Sequence, residues 1–189
     1  MSKNIAIFAS GSGTNTENII NYFKNNDRVN IALIISNKKD ALVIKRAEKH
    51  KIPTFILNRE EFYETQNLLT PLNNYKIDLI VLAGFLWLIP NYLIRAFPDK
   101  MTNIHPALLP NYGGKGMYGK YVHEAVINAK EKESGISVHY VNERYDEGKI
   151  IFQAKCKVYE NDTPESLAER LHQLEYEHYP VIIEKILGI

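Results

Sequence analysis

The stretch Ile5-Ala6-Ile7-Phe8-Ala9-Ser10-Gly11-Ser12-Gly13-Thr14-Asn15-Thr16 decides how the fold is read. Five apolar residues are too few for a helix, two glycines break the run, and Ile19, Ile20 and Phe23 then recur at helical spacing between Thr16 and Phe23. The unit reads as strand, tight loop, helix. Working outward, Asn30 to Ser36 is a second buried strand, and Asp40 is expected to cap a helix that runs through Lys49, where a basic tail suits the helix dipole. Ile52 to Leu57 reads as a third strand, Glu60 to Asn74 as a helix, and Ile77 to Ala83, apolar after Asp78, as a strand buried on both faces. Such alternation implies an α/β domain with a mostly parallel, doubly wound, Rossmann-like sheet. After Met101 the pattern changes. Gly135 to Val141 and Lys149 to Val158 read as adjacent strands joined by a polar turn containing Asp146 and Gly148, which makes the C-terminal portion antiparallel. A terminal helix starts at Pro164 behind Asp162 or Thr163 as its cap. Ahead of these strands, Asn111 to Lys120 holds four glycines and reads as a mobile loop.

The totals narrow the function. With 189 residues, 45% of them apolar and 24% charged, the chain fits a single soluble domain over 1–189. Lys plus Arg number 23 against 22 for Asp plus Glu, so no global field favours nucleic acid or an anionic membrane. Cys156 is the only cysteine, which excludes an intrachain disulfide and a Cys-based zinc site, and the histidines lack His-Glu-x-x-His spacing, so no metal is expected. The apolar run after Met1-Ser2-Lys3-Asn4 is too short for a signal peptide or a bilayer span, and the expected location is cytoplasmic. Partners are expected to be small molecules; the oligomeric state is left open.

Three segments carry chemistry. Ser10-Gly11-Ser12-Gly13-Thr14-Asn15 lies between a strand and a helix, where successive backbone N–H groups and a helix N-terminus suit an anion. Thr16 stands where a dinucleotide fingerprint needs its third glycine, and no Gly-Lys-Ser or Gly-Lys-Thr follows, so a monophosphate fits better than a dinucleotide or triphosphate. The bland alternative is a turn that merely needs glycine. In Asn103-Ile104-His105-Pro106-Ala107-Leu108-Leu109-Pro110, Asn103 and His105 would share one side of an extended segment. A carboxamide there can donate to a developing oxyanion while an imidazole moves a proton; the competing reading is a strand end with two satisfied polar residues. Asp146 is either ordinary turn chemistry or the acid that orients an imidazole.

Taken with Val81-Leu82-Ala83-Gly84-Phe85-Leu86, Gly135-Ile136-Ser137-Val138-His139 and Gln173-Leu174-Glu175, these segments resemble the phosphoribosylglycinamide formyltransferases over nearly the whole chain. The Asn-x-His-Pro-x-Leu-Leu-Pro run is common to other enzymes that use formyl folates. The resemblance implies transfer of a formyl group from 10-formyltetrahydrofolate, a co-substrate, to the amine of glycinamide ribonucleotide in purine biosynthesis. It implies that Asn103, His105 and Asp146 are catalytic, that Gly13, Thr14 and Asn15 hold the substrate phosphate, and that His172 and Glu175 contact the ribose or glycinamide. His172 stands where relatives can have Gln. The pterin would lie by Leu86, Trp87, Leu88, Ile89, Asn103 and the segment Asn142, Glu143, Arg144 and Tyr145, with Arg59 as a further folate contact. The amine would attack the formyl carbon through a tetrahedral oxyanion that Asn103 and protonated His105 stabilise, and Asp146 would raise the pKa of His105. His50, His139 and His178 are expected to be structural or exposed. The loop Gly113 to Lys120 departs from the proline-containing family version and leaves the place of His123 open.

Competing readings differ in reaction or class. A formyltetrahydrofolate hydrolase shares the same triad but belongs with an extra N-terminal domain. A methionyl-tRNA formyltransferase belongs with a C-terminal RNA-binding domain and a stronger positive charge. A non-catalytic folate or sugar-phosphate binder on the same fold would have no need of the triad.

Overall fold

The computed structural model describes residues 2–189; Met1 lies outside them. Seven strands form one sheet in the order β3-β2-β1-β4-β5-β6-β7. The strands are β1 (Lys3–Phe8), β2 (Val29–Ser36), β3 (Thr54–Ile56), β4 (Leu79–Leu82), β5 (Met101–His105), β6 (Glu133–Tyr140) and β7 (Ile150–Lys157). Pairings from β3 across to β5 are parallel, whereas β5 with β6 and β6 with β7 are antiparallel. The expected mostly parallel sheet with an antiparallel C-terminal portion is what the chain forms.

Strand alternation builds two apolar layers. Ile5, Ile7 and Ala9 of β1 and its end pack with α1 (Thr14–Phe23), α2 (Leu42–Lys49), α6 (Lys120–Asn128) and α7 (Pro164–Leu187). Ala6 and Phe8 face the other layer, with α3 (Arg59–Glu64), α4 (Leu69–Asn74) and α5 (Asn91–Ala96). A strand covered on both faces is mostly apolar, which is why Ile5 to Phe8 of β1 and all of β4 read as unbroken runs. Strand order reverses between β1 and β4, and the ends of these strands open a crevice of the kind that binds ligands in doubly wound sheets.

Several boundaries differ from expectation, each for a local reason. Helix α1 begins at Thr14, two residues early, because Gly13 at φ 71° ends the loop there. Asp40 does not cap α2; Ala41 holds that position without a side-chain hydrogen bond. The expected helix from Glu60 to Asn74 is two short helices. Asn58 caps α3 by accepting from the N–H groups of Glu60 and Glu61, and Thr65 ends it in an extended conformation. Pro71 has no N–H, and in a continuous helix its ring would meet the carbonyl of Asn67, so it is accommodated only in the first turn of α4. Helices α5 and α6 and the antiparallel pairing of β5 with β6 lie outside what the local periodicity shows. In α7, Thr163 and Ser166 form a capping box, while Asp162 pairs with Arg170 at 2.8 Å. Pro180 inside α7 frees the carbonyl of Tyr176, and Asn18 Nδ2 donates to it at 2.9 Å. That bond ties α1 to α7 and aligns both helices beside the crevice.

Candidate active site

One cavity of about 660 Å³ runs along the crevice, and the glycine loop, the end of β5 and α7 all line it. At one end, the carbonyl of Gly13 accepts from Glu17, the first helical hydrogen bond of α1. The N–H groups of Thr14 and Asn15, ahead of that bond, have no partner within the helix and add to the positive end of its dipole. Ser10 fixes the loop to the neighbouring strand connection: its N–H donates to Gly84 O at 3.0 Å, and its hydroxyl accepts from Leu86 N at 3.0 Å. A Cβ on Gly13 would lie 2.6 Å from Val43 Cγ2, so glycine is needed both for φ and for close packing on α2.

Glu175 projects from α7 beside this end and is 5% exposed. Burial pushes its carboxyl up, opposed by the hydrogen bond it accepts from Asn15 Nδ2 at 2.7 Å and by His172 nearby. One Asn15 Nδ2 hydrogen is therefore engaged by Glu175, and the backbone N–H of Asn15 stays available to a ligand.

At the other end, β5 places Asn103 and His105 in the cavity wall together, as their two-residue spacing implies. The carboxylate of Asp146 gathers them. Its Oδ1 accepts from Asn103 Nδ2 at 3.3 Å, its Oδ2 lies 3.5 Å from His105 Nδ1, and the N–H of Gly114 donates to Oδ2 at 3.0 Å. The turn that delivers Asp146 is unusual in backbone: Asp146 has φ 57°, a region that Asp tolerates better than most residues. A Cβ at Gly148 would collide with the carbonyl of Tyr140, so the glycine two residues on is required by close approach.

Electrostatics revise one expectation. The pKa of His105 is lowered, because burial outweighs the Asp146 carboxylate and the Tyr112 carbonyl, both of which raise it. Asp146 does act on His105 in the expected sense, yet the net shift runs the other way. Burial also opposes charge on Asp146, but His139, His105 and the Gly114 N–H outweigh it and hold its carboxyl below the usual range. Tyr112 O can only accept, so His105 Nε2, 2.7 Å away, carries a proton. Nδ1 then faces a carboxylate, which favours taking up a second proton there.

His139 was expected to be structural or exposed, but it lines the cavity at 2% exposure. Its Nδ1 donates to Tyr140 O at 2.8 Å, which leaves Nε2 to accept from Asn103 Nδ2 at 3.1 Å, with Asp146 Oδ1 at 3.5 Å. Its sequence signal was pairing: on antiparallel strands Asn103 lies directly opposite His139. His123, from α6, also borders the cavity; its Nδ1 is buried without a partner among the described residues, and burial lowers its pKa to about 4.

Leu86, Trp87, Leu88 and Ile89 line the cavity, as do Asn142, Arg144, Tyr145 and His172. Glu143 and Arg59 do not border it. The Arg59 guanidinium instead lies 5.3 Å over the Trp87 ring and 5.2 Å over Tyr63, supporting that wall from behind. No cluster of His, Cys, Asp and Glu suited to a metal occurs among the described residues.

The chain matches the family model described as formyl transferase over residues 3–183. It is 38% identical over 192 residues to a phosphoribosylglycinamide formyltransferase of Bacillus subtilis, covering 99% of this chain and 96% of that protein. It is also 38% identical to a chloroplastic phosphoribosylglycinamide formyltransferase of Arabidopsis thaliana, covering 97% of this chain and 65% of the longer plant protein. Among solved structures, glycinamide ribonucleotide transformylase 1 of Geobacillus kaustophilus superposes with a TM-score of 0.89 at 36% identity over all of both chains. On this family match and these identities, carried across nearly its full length, the chain belongs to the formyl transferase family.

Proposed function

We propose that this enzyme is a single formyltransferase domain over 1–189 that moves a formyl group from 10-formyltetrahydrofolate to the amine of glycinamide ribonucleotide, in the cytoplasm. The observation that carries this reading is the single carboxylate of Asp146 gathering Asn103 and His105 at one end of a cavity whose other end is a helix N-terminus behind a glycine loop. A substrate with a phosphate at one end and an amine at the other matches that polarity. The phosphate sits on the N–H groups of Gly13, Thr14 and Asn15, Glu175 and His172 flank the sugar and glycinamide, and the pterin takes the wall formed by Leu86 to Ile89 with Asn142, Arg144 and Tyr145.

The chemistry follows from the side chains. As the amine adds to the formyl carbon, negative charge grows on the formyl oxygen, and Asn103 and protonated His105 oppose it. Asp146 keeps both in register. Because burial weakens the hold of His105 on its second proton, the ring passes that proton on readily towards the departing folate nitrogen and takes up in its place the proton that the attacking amine sheds. Neither nucleic acid nor a metal takes part.

The test is folate deformylation with and without glycinamide ribonucleotide. Turnover that depends on the ribonucleotide is expected; equal turnover with water alone would make the enzyme a hydrolase.

A further inference from the structure

We propose that Arg46, outside the cavity, is a positioning residue for the substrate phosphate: it holds the Ser12 carbonyl outward and keeps positive charge behind the anion site. The proposal rests on the phosphate-binding reading given above and extends it to a residue that does not touch the ligand.

A loop can turn successive N–H groups towards an anion only if the intervening carbonyls turn away and find donors elsewhere. In this loop the donors come from α2. The N–H of Val43, left over at the start of that helix, donates to Gly11 O at 3.2 Å, and Arg46 Nε donates to Ser12 O at 2.8 Å. One turn of α2 thus holds two adjacent loop carbonyls, while the Val43 side chain fills the space beside Gly13.

The charge behind the loop is lopsided. Arg46 also reaches Glu17 Oε2 at 3.3 Å, and the same carboxylate is shared by Lys49 at 3.3 Å and His50 at 2.8 Å. These hydrogen bonds, that of His50 first, bring Glu17 down to about 2, so it stays ionised at any working pH. One carboxylate faces two fixed cations and a histidine, which leaves net positive charge on the side of the loop away from the ligand. Glu17 also fixes the Arg46 fork, so that Nε rather than a freely rotating group meets Ser12. The reading carried from the family assigns the phosphate to the loop itself; what turns the loop donors inward is supplied by α2.

The experiment compares Arg46→Met with the parent enzyme on two amine substrates, glycinamide ribonucleotide and its phosphate-free riboside, at saturating 10-formyltetrahydrofolate. For Arg46→Met we expect the KM for the ribonucleotide to rise about tenfold, the loss of one charge-assisted hydrogen bond. The expected kcat and folate KM are unchanged, and the riboside is used equally by both enzymes. Inorganic phosphate, as a competitive inhibitor against the ribonucleotide, should weaken by the same factor. Arg46→Lys keeps the charge without the fork and should fall between the two; it also carries the comparison if Arg46→Met does not fold. An unchanged ribonucleotide KM, or an equal loss with the riboside, overturns the assignment. A parent enzyme that deformylates folate without any ribonucleotide would instead overturn the functional reading, and that is seen before any variant is made.

Discussion

The two ends of the cavity present their polar groups by different means. The glycine-loop end uses backbone, with N–H groups set by φ angles, a helix terminus and the carbonyl anchors of α2. The Asn103 end uses side chains, brought together from β5, β6 and a turn and bound to one carboxylate. Backbone donors suit a permanent dianion, since they have no pKa and lose little entropy on binding. Side chains suit a transient charge, since a proton has to move. The first end should fail through geometry and the second through chemistry.

The largest effect is expected at the side-chain end. Asn103→Ala and His105→Ala should each lower kcat by about 10² to 10³, the usual consequence of removing an oxyanion donor, with circular dichroism unchanged. A folded His105→Ala enzyme with near-normal turnover would dissolve the contrast.

His123, between the ends, links the cavity to acid stability. Its folded pKa of about 4 lies below the unfolded value of about 6.5, so between these pH values the unfolded chain binds the extra proton. Stability is therefore fully present above about pH 6.5 and falls as the pH drops, by up to about 3 kcal/mol at pH 4. Urea melts of the parent and His123→Leu at pH 7.5 and 4.5 measure this; parallel pH slopes in the two would refute it.

At the backbone end, a Cβ on Gly13 points into Val43 of α2. Gly13→Val should thus cost about 1 to 3 kcal/mol of stability through strain and overpacking, in addition to any loss of substrate affinity. Gly11 has open space around its Cβ position and no unusual φ. Gly11→Ala should keep the parent Tm and raise only the KM for the ribonucleotide, which makes it the sharper probe; a lowered Tm with normal KM would reverse the argument.

The smallest effect is a shift. Asp146 raises the pKa of His105 against burial, so Asp146→Asn should lower that pKa further. The alkaline limb of the rate profile, where His105 loses the proton it supplies, should move down with it. NMR titration of His105 in the two proteins decides; an unmoved resonance would reduce Asp146 to a scaffold for its turn.

Legibility followed the same divide. The parallel half was readable because both faces of its strands are buried, so Ile5 to Phe8 of β1 and the whole of β4 are unbroken apolar runs and the helices between them show their own period. Strand β5 was less so. Thr102 is polar yet fully buried, satisfied by Tyr179 of α7 at 3.0 Å, a partner 77 residues away. Pro71 could have warned that Glu60 to Asn74 is not one helix. The place of His139 opposite Asn103 depends on strand register, which an isolated histidine does not reveal.

The sequence by itself determined the sheet class and the glycine loop and offered Asn103 and His105 as candidates on one strand, because local periodicity, glycine chemistry and a contiguous motif are all short-range; Asp146 entered only through the resemblance. Tertiary structure alone decided that β5 and β6 align Asn103 with His139, that Asp146 reaches across 41 residues to His105, that Arg46 backs the loop, and that burial outweighs a carboxylate on His105. Each of these depends on distances between segments far apart in the chain and on how much water the fold excludes, and both exist only once the layers have packed.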